Sequence, residues 1–216
     1  MNYPASTESE FDARFMATKI LGIENKGVYV DIGAGYPEFY SNAVEFRVAG
    51  WKIIAVEPLP HMCKKFRDMG YEICEYAATD RDLGKTTFEY HAGLDGLSGS
   101  CFNSTAGTSS IASYPADHRQ SMLDNGQIKL IEVEALTLNT ILTRHYPEID
   151  HITILDIDVE GYELEVLRGL DLKKYNPDLM IIENYSANPR YYEFYKQIGY
   201  KMVTKAAYNE ILMRDE

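Results

Sequence analysis

Val28-Tyr29-Val30-Asp31-Ile32-Gly33-Ala34-Gly35 is the stretch on which the fold turns. A short β-rich run ends in a glycine turn, the form taken by a strand that hands the chain to a helix. Working outward, Glu38 to Ala49 sets Phe39, Ala43, Phe46 and Val48 near one apolar stripe before Gly50, which predicts a helix. Lys52 to Val56 predicts a second strand ending at Glu57-Pro58. Pro60 to Met69 then reads as a helix and Glu72 to Ala77 as a third strand. This alternation is the mononucleotide-binding half of a doubly wound α/β fold.

The second half keeps the rhythm. Ile128 to Val133 reads as a strand and Leu136 to Tyr146 as a helix. His151 to Asp158 is almost wholly apolar until Asp156 and Asp158, as burial on both faces of a parallel strand requires. Glu160 to Leu170 reads as helix, Asp178 to Glu183 as strand and Asn188 to Ile198 as helix. Tyr200 to Thr204 and Glu210 to Met213 form a closing antiparallel hairpin. Residues 1–26 are a helical extension with one amphipathic helix, about Glu8 to Leu21. The segment 93–126 is dense in Gly, Ser, Thr and Asn without apolar period, which marks it as a lid or acceptor loop.

A length of 216 residues, 45% hydrophobic and 25% charged, fits a single globular domain spanning 1–216. No apolar run approaches the length of a membrane span. Thirty-three acids against 21 bases give a net charge of -12, a field that repels phosphate backbones and disfavours nucleic acid as partner. Met1 to Glu10 has neither a basic nor an apolar region of a secretory signal. Cys63, Cys74 and Cys101 form no CxxC pair, the pattern of reduced packing cysteines in a cytoplasmic protein.

Ligands of open α/β sheets bind beyond the carboxyl ends of the strands. Those ends carry Asp31 to Gly35, Glu57, Ala77 to Asp80, Asp158 to Gly161, and Glu183-Asn184. Four of the five present an acid, which suits a cation or sugar hydroxyls better than a polyphosphate. A dinucleotide fingerprint wants G-x-G-x-x-G, but Glu38 stands at its third glycine. Glu57 matches a carboxylate that accepts both hydroxyls of a ribose. Asp31 and the missing glycine tilt the cofactor from a nicotinamide dinucleotide toward S-adenosylmethionine, whose sulfonium and ammonium favour acidic surroundings. An ordinary strand-turn-helix with a surface glutamate is the plain alternative.

Val30-Asp31-Ile32-Gly33-Ala34-Gly35 with Tyr40-Ser41, then Val56-Glu57-Pro58, resembles the front half of the FkbM-type methyltransferases. Leu155-Asp156-Ile157-Asp158-Val159-Glu160-Gly161-Tyr162-Glu163-Leu164-Glu165-Val166-Leu167-Arg168-Gly169-Leu170 is the more specific part, joined by Pro177, Asp178 and Ile182-Glu183-Asn184. Asp156 departs from the pattern, where the family usually has lysine. The resemblance implies a Rossmann-like, seven-stranded methyltransferase sheet and methyl transfer from S-adenosylmethionine to a hydroxyl, often on a sugar. It implies that Gly33 and Gly35 pass beneath the methionine part of the cofactor, with Asp31 organising the turn. Ser41 would meet its carboxylate, Glu57 its ribose, and Ala77 to Asp80, with Ala78 and Asp80, its adenine. Asp158 would face the transferred methyl.

An alcohol is a poor nucleophile at neutral pH, so a carboxylate, a histidine or a metal must assist. Asp158 and Glu160 at one strand-to-helix junction are the candidate catalytic carboxylates. His118, following Asp117 in the lid, is the candidate histidine. Asp158 with Glu183 and Asn184 is similar to the metal site of catechol-type O-methyltransferases, and three oxygen ligands suit magnesium or manganese. Tyr185, Tyr191, Tyr192 and Tyr195 crowd after Glu183-Asn184, where their faces could pack on a sugar, a core or a second copy. The expected activity is O-methylation of a sugar or glycan. A nicotinamide-dependent oxidoreductase and a catalytically inactive glycan- or partner-binding fold are the rivals.

Overall fold

The computed structural model describes residues 8–38, 41–91, 100–102 and 116–215, and the side chains of 13–38, 41–90 and 120–215. Among these residues two sheets form. The larger contains β1 (Val28–Ile32), β2 (Lys52–Val56), β7 (Ile154–Ile157), β8 (Leu179–Glu183), β9 (Tyr200–Ala206) and β10 (Asn209–Arg214), in the order β2-β1-β7-β8-β10-β9. Its first four strands run parallel, and the β9–β10 hairpin is antiparallel to β8. Crossing helices cover both faces, so the four parallel strands are buried along nearly their whole length.

On one face Val30, Ile32, Leu155, Ile157, Met180 and Ile182 pack against α5 (Leu138–His145), α6 (Glu163–Arg168) and α8 (Arg190–Gln197). On the other, Tyr29, Ile154, Ile181 and Ile211 meet Ala13 and Ala17 of α1 (Glu8–Leu21) and Phe46 of α2 (Val44–Val48). Successive strand residues alternate between the layers. The chain leaves β1 toward β2 on one side, and returns to β7 on the other. The carboxyl ends of β1 and β7 therefore flank the switch point, where such sheets bind ligands.

The third strand expected over Glu72 to Ala77 meets β2 only at the bridge Val56–Cys74. The Tyr76 N–H then folds back onto the Cys74 carbonyl at 3.0 Å, so it is unavailable for a ladder. The chain moves instead into β3 (Ala77–Thr79), part of a smaller sheet ordered β3-β6-β4-β5 with β4 (Gly84–His91), β5 (Ser100–Phe102) and β6 (Ile128–Thr137). Strand β6 outruns its expected end because Thr137 is the N-cap of α5, accepting the Thr140 N–H at 3.0 Å. Helix α2 starts later than expected. Ser41 Oγ takes the Ala43 N–H at 3.1 Å and keeps that segment out of the helix. The closing hairpin forms where the sequence places it.

Most of the segment 93–126 lies outside the described residues; from it come β5 and α4 (Ala116–Asp124). No described helix is long and apolar enough to cross a membrane.

Candidate active site

The glycine turn sits on the switch point. The Gly33 and Ala34 N–H groups both donate to the Val56 carbonyl, at 3.0 and 3.2 Å, and Asp158 N–H donates to the Ile32 carbonyl at 3.0 Å. Gly33 adopts φ +78°, and a Cβ there would stand 1.8 Å from the Asp158 carbonyl oxygen. Only glycine lets β1 and the loop after β7 approach so closely.

Glu57 holds this turn, and Asp31 holds the chain that follows it through Ser41. Ser41 Oγ donates to Asp31 Oδ2 at 2.8 Å, and burial raises the Asp31 carboxyl above its ordinary range. Glu57 is 3% exposed and accepts two backbone donors, Gly35 N–H at 3.1 Å and Leu59 N–H at 2.9 Å. Burial outweighs both bonds and lifts its pKa to about 7. Each Glu57 oxygen accepts one of these N–H groups, which leaves further acceptor capacity on both. Beside it runs a narrow crevice lined by Ile32, Gly33, Pro58, Ala77, Ala78, Phe88 and Val159. Ala78 thus faces the crevice. Asp80, beyond the end of β3, accepts the Thr79 hydroxyl at 3.2 Å.

Next to the turn five carboxylates converge. Asp158 and Glu183, ending adjacent strands, hydrogen-bond to one another. Burial first, then repulsion from Glu183, Glu160, Glu163 and Asp156, pushes Asp158 well up. Burial and the same neighbouring charges raise Glu183 to about 8. Both carboxyls are thus held toward their protonated forms by burial and by one another. Glu160 is half-buried at φ +59°, a left-handed conformation unusual for a glutamate, and burial raises it as well.

What holds that bend is Glu163, whose place in the site the sequence reading did not single out. Its Oε1 accepts Gly161 N–H at 2.8 Å and Val159 N–H at 3.2 Å, and Oε2 accepts the Tyr191 hydroxyl. Glutamate in a first helical turn, just after an acid-glycine pair, is the signal that could have revealed it. The same capture starts α6 at Glu163 rather than at Glu160.

Other expectations fall differently. Asn184 turns away from Asp158: its amide donates to Glu210 Oε1 at 3.1 Å and accepts Asn188 N–H at 2.8 Å. Among the described residues no group of three or more His, Cys, Asp or Glu is arranged to hold a metal ion. The structure therefore does not assemble Asp158, Glu183 and Asn184 as ligands for magnesium or manganese. The side chain of His118 lies outside the described residues. Asp156 is buried and accepts the Tyr29 hydroxyl at 2.7 Å. Of the four tyrosines that follow Glu183-Asn184, three turn inward: Tyr191 donates to Glu163, and Tyr192 and Tyr195 donate to Glu210 at 2.8 and 2.9 Å. Tyr185 alone stays 70% exposed.

A glycine turn beside a crevice and a group of buried acids, all at a switch point, defines an α/β domain with a candidate ligand site at the carboxyl ends of its strands. The family model described as the methyltransferase FkbM domain matches residues 31–208, and the chain belongs to that family of methyltransferases. No curated protein matches the chain.

Proposed function

We propose that the protein is an S-adenosylmethionine-dependent O-methyltransferase acting on a hydroxyl of a sugar or glycan. The single observation that carries this reading is the Asp158–Glu183 pair beside the Gly33 turn, two buried acids that a cation bound there would help to ionise. S-adenosylmethionine, when bound, supplies a methyl carbon attached to a positively charged sulfur. The residues present suit it: Gly33 and Gly35 would pass beneath its amino-acid end, and Ser41, bonded to Asp31, would meet its carboxylate. Glu57 would take the ribose hydroxyls, and Ala78 with Phe88 would line the adenine crevice. Asp80 would border that crevice from beyond β3.

Asp158 is the proposed base. Ionised by the positive charge bound beside it, Asp158 would receive the acceptor's hydroxyl proton as the C–O bond to the methyl replaces the C–S bond and leaves a neutral sulfide, while Glu183 and Glu160 orient the hydroxyl. A doubly wound seven-stranded methyltransferase sheet belongs to this reading, since the Val56–Cys74 bridge marks a further strand position at the β2 edge. Burial of the free thiols of Cys63 and Cys74 supports a cytoplasmic location.

Calorimetric titration with S-adenosylmethionine and, separately, NADH tests the assignment. Heat with the first and none with the second is expected. Binding of NADH alone would replace this reading by an oxidoreductase. Glu57→Ala should lose most of the S-adenosylmethionine affinity.

A further inference from the structure

Two tyrosines cap the carboxyl end of β8 with their rings in solvent. Tyr185 follows Glu183-Asn184 and is 70% exposed; Tyr208, in the turn between β9 and β10, is 46% exposed. Their ring centroids lie 4.5 Å apart with the planes inclined at 42°. The backbone fixes this pair: Asn184 N–H donates to the Tyr208 carbonyl at 2.8 Å, and Asn209 stands opposite Glu183 in the ladder. The rings are thus held one or two residues from Glu183, whose carboxyl bonds to Asp158.

The hydroxyls of Tyr191, Tyr192 and Tyr195, by contrast, are spent on buried glutamates. Tyr185 and Tyr208 are thus the exposed aromatic pair beside the carboxyl end of β8.

We propose that Tyr185 and Tyr208 form the platform on which the ring of a neutral sugar stacks, with its hydroxyl edge turned toward Glu183. The assignment rests on the reading that the acceptor is a sugar, and supplies the residues that would recognise it. A sugar ring offers a face of weakly positive C–H groups to the electron-rich face of an aromatic ring. Its hydroxyls donate to carboxylates such as Glu183 and Glu160. At 70% and 46% exposure the two tyrosines provide about 170–290 Å² between them. A stable protein interface needs about 800 Å² from each partner, so a small ligand fits better. A nucleotide base would stack equally well, but its phosphates would meet the acid cluster and a net charge of -12.

Saturation-transfer NMR with a panel of neutral methyl glycopyranosides (gluco, galacto, manno, fuco and rhamno), recorded with S-adenosylhomocysteine present, tests the platform. Transfer to the ring C–H protons of at least one panel member is expected. Y185A/Y208A should weaken that binding about tenfold or more, while Y185F/Y208F, which keeps both faces, should retain it. Unchanged melting temperature and S-adenosylhomocysteine affinity would certify the fold of the alanine variant. No transfer to the wild type, or equal transfer to the alanine variant, would overturn the platform and leave the cofactor assignment standing. A self-association lost in the alanine variant would overturn it in favour of a second copy. Failure to bind S-adenosylhomocysteine would instead remove the methyltransferase reading, and with it the acceptor role.

Discussion

The carbonyl oxygen of Asp158 stands 1.8 Å from the point where a Cβ on Gly33 would lie, so the loop after β7 rests directly on the glycine turn after β1. Gly33→Ala should incur both a left-handed backbone and a displaced Asp158, about 3 kcal/mol or more in total. Gly35 also has positive φ, yet nothing lies closer than 3.9 Å to its would-be Cβ. Gly35→Ala should therefore cost only about 1 kcal/mol. Urea unfolding of the two variants reads the difference. Equal losses would show that the close approach is not what makes position 33 glycine.

The buried carboxylates make stability depend on pH in a stated direction. In the folded chain Glu57 titrates at about 7 against an ordinary 4.5, so the native state binds more protons between those values. Stability is then highest below the ordinary pKa and declines as pH rises to about 7, beyond which the whole penalty is present. Glu183 extends the decline to about 8, and the raised Asp158 and Asp31 act in the same sense. Glu57→Gln should remove on the order of 2–3 kcal/mol of that decline between pH 5 and 7. The slope is the readout, because an amide presents a single acceptor to the Gly35 and Leu59 donors. Urea midpoints across pH 5 to 8 measure it. A wild type equally stable at both ends would contradict the assignment.

A cation should reverse that penalty. S-adenosylmethionine carries a sulfonium and S-adenosylhomocysteine a neutral sulfur, so only the first gains as the raised carboxyls of Asp158 and Glu183 ionise. The affinity ratio of the two ligands should rise about tenfold between pH 6 and 9, a difference of about 1.4 kcal/mol. Asp158→Asn should flatten the rise. Calorimetry at three pH values decides; a ratio that is flat in the wild type would place the acid pair away from the sulfur.

How far the sequence reached is clear from where elements start and stop. Apolar runs such as Leu179 to Ile182 located the buried strands, since only a central parallel strand has need of them. Boundaries were lost where side chains compete with backbone: Ser41 delays α2, Thr137 prolongs β6, and Glu163 delays α6. Tyr76 redirects the third strand by a single backbone bond. The positions of Asp31, Gly33 and Glu57 were legible because a strand, a turn and an acid at fixed spacing define them. The fates of Asn184 and Tyr192 were not, for both depend on Glu210, which reaches them only through the pairing of β10 with β8.

Glu163 and Tyr191 provide the sharpest separation of loop order from charge. Glu163→Ala would orphan the Val159 and Gly161 N–H groups and release the φ +59° bend at Glu160, a loss of about 3 kcal/mol. Amide exchange at Val159 and Gly161 should accelerate toward the rate of an unprotected amide. Tyr191→Phe removes one donor and leaves both N–H bonds, so it should cost about 1 kcal/mol with exchange little changed. Glu163→Gln keeps an oxygen for the two N–H groups, and its amino group meets the Tyr191 oxygen, which accepts as readily as it donates. The bend should survive in that variant, whereas the negative charge that helps raise Asp158 and Glu183 is gone. The pH at which S-adenosylmethionine gains over S-adenosylhomocysteine should then fall, with amide exchange near wild type. Fast exchange in Glu163→Gln would mean that the charge, rather than the hydrogen bonds, holds the loop.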